Sequence, residues 1–147
     1  MTWYCFLTRQ LFFTGMTVSS ISIMDNLLIE STKKTPEIVF NTDGRFRISG
    51  RSIPEDASKF YDDLFEWIYS YCKTPAESTT VDIELEYFNS GSSKALLHIL
   101  RALAEIDRNG FKLTINWYYE EGDDDIMERG EYYESILEIK FNFIETN

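Results

Sequence analysis

The sequence predicts an α/β fold: a single mixed β-sheet with helices packed mainly on one face. Segments with two-residue alternation and segments with helical spacing take turns along the chain, which is the pattern of sheet plus crossover helices. Each alternating segment keeps one polar row, whereas a sheet covered on both sides would carry continuous apolar strands. A tight-turn signal near the front adds an antiparallel pair.

The elements follow in order. Leu27 to Glu30 is a short strand, and "STKKTPEI" is a loop, because Pro36 lacks an amide donor and pushes Thr35 to an extended conformation. Ile38 to Phe40 and Arg45 to Ile48 flank "NTDG", whose Asp-Gly pair favours a hairpin. "SIPEDASKFYDDLFEWIYSYCKTP" reads as a helix. Ser52 and Glu55 have capping-box spacing, Pro54 falls in the first turn and Pro75 lies beyond the end. Phe60, Leu64, Trp67, Ile68 and Tyr71 share its apolar face, with Cys72 at the border as a small core residue.

"TTVDIELEYFN" alternates Val81, Ile83, Leu85 and Tyr87 towards the core with Asp82, Glu84 and Glu86 towards water. "KALLHILRALAEIDRNG" is the second helix, carried by Leu96, Ile99, Leu100, Leu103 and Ile106 and stopped by Gly110. Alternation returns in "FKLTINWYY" and in "EIKFNFI"; between them "EEGDDDIMERGEYYESIL" reads as an acidic loop leading into a third helix. On the wet face Arg45, Arg47, Lys112 and Lys140 are expected to partner Asp82, Glu84 and Glu86, each exposed pair contributing about 0.2–1 kcal/mol.

The first stretch differs in kind. "MTWYCFLTRQLFFTGMTVSSISI" carries one charge, Arg9, and no lasting periodicity. Its apolar run is interrupted by Thr14 and Gly15, too broken for a span of roughly 20 apolar residues and poor as a signal peptide. The expectation is an extension over residues 1–24 with little regular structure, Met24 being the start proper, and one regular domain over 25–147.

Composition narrows the chemistry. In 147 residues, 14 basic against 25 acidic side chains give a formal charge of −11, with no basic block to follow a phosphate backbone, so nucleic-acid binding is disfavoured. Cys5 and Cys72 form no CxxC pair, and a reducing cytoplasmic setting is expected. The lone His98 sits in the second helix without a second histidine or cysteine near it, which disfavours zinc. Asp123, Asp124 and Asp125 could attract a divalent cation but lack the alternating ligands of a calcium loop. No nucleophile elbow, phosphate loop or dinucleotide fingerprint is present. No catalytic residue, cofactor or metal site is therefore expected, and no membrane partner.

The strand-to-helix junction "EYFNSGSSK" remains. The hydroxyls of Ser90, Ser92 and Ser93 fall at or just before a helix N-terminus, where unpaired amides favour an oxygen acceptor or an anion. Spacing alone leaves two readings: caps and turn residues, or a place for a phosphoryl group.

"LLIESTKKTPEIVF", "GRSIPEDASKFYDDLFEWI", "LEYFNSGSSKALLHIL" and "NWYYEEGDDDIMERGEYYESIL" resemble successive blocks of the SiaC family of regulatory phosphoproteins, over about residues 25–144. The resemblance implies a fold like that of STAS-type anti-sigma-factor antagonists and a partner switch without catalytic activity. In such a switch a serine/threonine kinase of the histidine-kinase-like ATPase type modifies the protein and a PP2C-type phosphatase reverses this. The unmodified form binds and activates an output partner such as a diguanylate cyclase. The family's modified residue is a threonine after an asparagine; here Ser90 follows Asn89, so the resemblance singles out Ser90, within a phosphosite loop of Asn89, Gly91, Ser93 and Lys94. Gly91 stands where a serine is more usual and would loosen the turn, which keeps Ser92 as a second candidate; otherwise Ser92 and Ser93 are left as caps. Two other readings compete: a constitutive scaffold or interaction domain using the surface near Tyr118 to Asp125, and a small metal-dependent enzyme using His98 and the acidic run.

Overall fold

The antiparallel end of the sheet is organised by one glycine. Gly44 has φ 99°, and its amide donates to the Asn41 carbonyl at 3.0 Å, closing the turn that "NTDG" predicts. A Cβ there would lie 2.2 Å from the Ser78 carbonyl oxygen, so the turn and the neighbouring strand both require glycine. The computed structural model describes residues 23–147. Expectations for the front stretch, Cys5 included, lie outside the described residues.

The strands are β1 (Leu27–Ile29), β2 (Glu37–Phe40), β3 (Arg45–Ser52), β4 (Ser78–Phe88), β5 (Lys112–Glu120) and β6 (Phe141–Thr146). They form one sheet in chain order, with the first two pairings antiparallel and the remaining three parallel. The helices α1 (Ala57–Tyr71), α2 (Ser90–Arg108) and α3 (Asp124–Leu137) make the three parallel crossovers. Such crossovers share one hand, so stepping always in the same direction stacks all three helices on one face. The mixed sheet and one-sided helical layer agree with the sequence pattern.

Between these layers lies the core. Ile83, Trp117, Leu64, Ile68, Leu96 and Leu100 are fully buried. The Trp117 indole N–H donates to the Ile126 carbonyl at 2.9 Å, so its burial strands no donor. Cys72 is half-buried, with its Sγ 3.6 Å from the Ala102 carbonyl oxygen. The opposite face is polar: Arg47 pairs with Glu84 at 2.7 Å, and an amide ladder runs from Asn142 to Asn116 (3.0 Å) and from Asn116 to Asp82 (2.8 Å). Arg45 instead pairs with Asp43 in its own turn at 2.7 Å, because the two are neighbours at the sheet's end. Neither Lys112 nor Lys140 makes an ion pair among the described residues.

Three expectations need correction. First, α1 is capped by Asp56, whose carboxylate accepts the Lys59 amide at 3.1 Å; Ser52, expected as a capping-box residue, ends β3 and is fully buried. Pro54 accordingly lies before the helix. Second, the acidic loop is short, residues 121–123, and the rest of the acidic run belongs to the third helix. Asp123 caps α3 by accepting the Ile126 amide at 3.1 Å, and Asp124 and Asp125 occupy the first turn, where the helix dipole favours negative charge.

Third, Tyr87 does not face the core; it is 58 % exposed. Gly50 pairs with Leu85 but Arg51 pairs with Tyr87, so Glu86 is an extra residue in β4. Gly50 supplies φ 105° at this bulge. The insertion reverses the alternation: Glu86 and Tyr87 both point to solvent and Phe88 turns inward.

Candidate functional site

The junction between β4 and α2 begins where that bulge ends. Phe88 pairs with Ser52 at the last position of β3, and the Asn89 amide donates to the Ser52 carbonyl at 3.0 Å, carrying the pairing one residue past the strand. Asn89, at φ −80° and ψ 175°, is the cap of α2: its side-chain oxygen accepts the Ser92 amide at 2.9 Å. Its side-chain nitrogen lies 3.4 Å from the Pro54 carbonyl oxygen, tying the cap to the loop before α1. Asparagine is as good a cap as serine, and here it relieves the serines of the role expected for Ser92 and Ser93.

Those two hydroxyls are used elsewhere. Ser92 has no exposed surface, and its Oγ accepts from Ser52 Oγ at 2.8 Å. Since the Ser52 hydroxyl has one proton, the Tyr61 hydroxyl donates to Ser52 at 2.6 Å. Burial pushes the Tyr61 phenol above its ordinary value, a shift that its two serine neighbours oppose. Ser93 meets Tyr133 of α3: the Tyr133 hydroxyl donates to the Ser93 carbonyl at 2.7 Å and lies 2.7 Å from Ser93 Oγ. Burial likewise raises the Tyr133 phenol, against the pull of Ser93 and Arg129. Two tyrosines, from α1 and α3, thus bolt the first turn of α2.

Ser90, the first residue of α2, is exposed, as are Gly91 and Lys94. Gly91 is helical rather than part of a loosened turn. A Cβ there would approach the Ala57 Cβ to 3.0 Å, so its small size lets the starts of α1 and α2 come together.

Beside this junction an open groove of about 590 Å³ lies between the end of β4 and the start of α3. Phe88, Ile126 and Tyr133 give it an apolar floor, Tyr87 and the 61 % exposed Tyr132 flank it, and Ser93 reaches it from α2. Glu86, Asp123, Asp125 and Glu128 supply negative charge, and Arg129 is its one cation among the described residues, with its guanidinium carbon 4.8 Å from the Phe88 ring centre. The groove sits beyond the carboxyl ends of parallel strands, where α/β sheets commonly bind.

The other candidates are dispersed. His98 is exposed on α2 with its ring 4.1 Å from that of Phe65, well removed in the chain from the acidic start of α3. Among the described residues no three potential ligands gather to hold a metal ion, and no helix is long and apolar enough to cross a membrane. Sequence reasoning missed Ser52, Tyr61, Tyr133 and Arg129 as parts of the site. The four-residue spacing of Arg129 and Tyr133 on one helix face was the available signal for that pair; nothing local marks Ser52 and Tyr61.

Comparison with known proteins gives a consistent result. Residues 29–146 match the model of a family described as regulatory phosphoproteins, SiaC. An uncharacterized protein of Pseudomonas aeruginosa (strain UCBPP-PA14) is 26% identical over 119 residues, 80% of this chain and 94% of its own length. The crystal structure of apo-SiaC from Pseudomonas aeruginosa superimposes with a TM-score of 0.72 at 25% identity, covering 84% of this chain and 100% of that one. A chain in the crystal structure of the diguanylate cyclase SiaD in complex with its activator SiaC, from the same organism, gives 0.73 at 25% identity, covering 82% and 99%.

Proposed function

Because the chain belongs to the SiaC family of regulatory phosphoproteins, we propose that it is a non-catalytic phospho-switch whose unmodified form binds and activates an output partner and whose modified residue is Ser90. The observation that carries the choice of residue is the division of hydroxyls at the junction. Ser92 is buried in a chain with Ser52 and Tyr61, and Ser93 is held by Tyr133, whereas Ser90 stands in solvent at the first position of α2.

A kinase can reach that oxygen without unfolding the turn. In the transfer the Ser90 Oγ–phosphorus bond forms as the bond from the γ-phosphorus of ATP to its bridging oxygen breaks; ADP leaves, and the hydroxyl proton passes to a base of the kinase. The product places a charge of about −1.5 to −2 at the positive end of α2. It also changes the size and charge of the surface bordering the groove. A kinase of the histidine-kinase-like ATPase type and a PP2C-type phosphatase would set and reset the state, in the cytoplasm. A diguanylate cyclase is the output partner that the SiaD–SiaC complex supports.

The test is labelling with the cognate kinase and ATP followed by mass-spectrometric mapping of the site. One phosphoryl group on Ser90 is expected. Label confined to residues outside the junction, or no label at all, would refute the assignment.

A further inference from the structure

We propose that Arg129 is the receiver of the Ser90 phosphoryl group: on modification its guanidinium leaves the Phe88 ring and pairs with the phosphoryl oxygens, joining α3 to the first turn of α2. The inference rests on the phospho-switch reading and adds the regulatory contact that reads the modification.

The placement follows from one contact between the helices. Strands β4, β5 and β6 are parallel, so α2 and α3 both run back against them and lie with their N-termini at the same end. They meet where the Tyr133 hydroxyl bonds Ser93. One turn nearer the N-terminus on each helix stand Ser90 and Arg129. Long helical side chains lean towards the N-terminus, which carries the guanidinium towards the level of Ser90. Two further facts keep it at this end of the fold: it covers Phe88, two residues before Ser90, and its charge acts on the Tyr133 phenol, which is bonded to Ser93.

Arg129 is also available. It makes no ion pair among the described residues, and its contact with the Phe88 ring is weak beside a forked pair with a dianion. Other charges surround the site. Lys94 lies four residues along α2, and Asp56 caps the neighbouring start of α1, already accepting the Lys59 amide. Glu86, Asp123, Asp125 and Glu128 line the groove and repel a phosphoryl group that moves into it. Among the described residues Arg129 is the one groove side chain that can draw the group inward, and its movement uncovers the Phe88 ring.

The experiment uses full-length protein with phosphoserine incorporated at position 90 during translation and follows its phosphorus NMR signal against pH. Pairing with Arg129 favours the dianion, so the second ionisation near pH ~6 is expected to rise by about 0.5–1 unit in Arg129→Gln, with Arg129→Lys recovering part of the difference. Lys94→Gln is expected to shift it less. Equal titrations with and without the Arg129 guanidinium, or a larger shift in Lys94→Gln, overturn the pairing even if the kinase labels Ser90. A kinase label elsewhere overturns the functional reading even if the titrations differ.

Discussion

Ser52 is the hub of a buried hydroxyl chain, and its removal should cost more than removal of either end. Tyr61 donates to Ser52 at 2.6 Å and Ser52 donates to Ser92 at 2.8 Å; Ser52 and Ser92 are fully buried and Tyr61 nearly so. Ser52→Ala orphans the Tyr61 hydroxyl and removes the donor to Ser92, and each buried polar group left without a partner costs about 1–3 kcal/mol. The two survivors are close enough to interact, as the pull of Ser92 on the Tyr61 phenol indicates, so part of that is recovered. The expected loss is about 2–3 kcal/mol, against about 0.5–1.5 for Tyr61→Phe or Ser92→Ala, each of which leaves one bond of the chain intact. Urea unfolding of the three variants measures this, with an unchanged slope showing that the unfolded state is not what moved. A Ser52→Ala loss no greater than that of Tyr61→Phe would refute the chain as a cooperative unit.

Two further outcomes follow from the same packing. Gly130 in α3 faces Trp117 and Phe143, and a Cβ there would lie 2.7 Å from the Trp117 ring and 2.8 Å from that of Phe143. Overpacking of about 1–3 kcal/mol outweighs the roughly 1 kcal/mol by which alanine favours a helix, so Gly130→Ala should lower stability and melting temperature by thermal denaturation; a rise would show that the core yields. Tyr61 and Tyr133 have phenols raised above the ordinary tyrosine value, chiefly by burial. Their contribution is complete below the unfolded-chain value near ~10 and is lost as pH rises through the folded values. Melting temperature should therefore fall above pH ~10, and less steeply in Tyr61→Phe than in the parent.

Most of the architecture could be read because it is written in local periodicity. The polar rows of β4, β5 and β6 announced a one-sided helical layer, and the Asp-Gly turn announced the hairpin. What could not be read depended on partners far away in the chain. The inward turn of Phe88 and outward turn of Tyr87 depend on a bulge opposite Gly50, and nothing in "EYFN" records that neighbour. The choice of Asn89 over three serines as cap is made by geometry among residues of similar capping preference. Ser52 and Ser92 are forty positions apart, beyond any helical or strand period. The phosphosite assignment came from the family resemblance, whereas the exposure that separates Ser90 from Ser92 required the fold.

The chain-order arrangement of the strands also bears on how the domain assembles. Every strand after the first docks on the one made just before it, and each helix links one parallel strand to the next. No segment must wait for a distant strand to complete its pairing, so loop-closure entropy is spent in small steps. A nascent chain can thus extend the sheet from β1 towards β6 as it emerges during synthesis, with the junction that carries Ser90 formed before α3 and its Arg129 arrive.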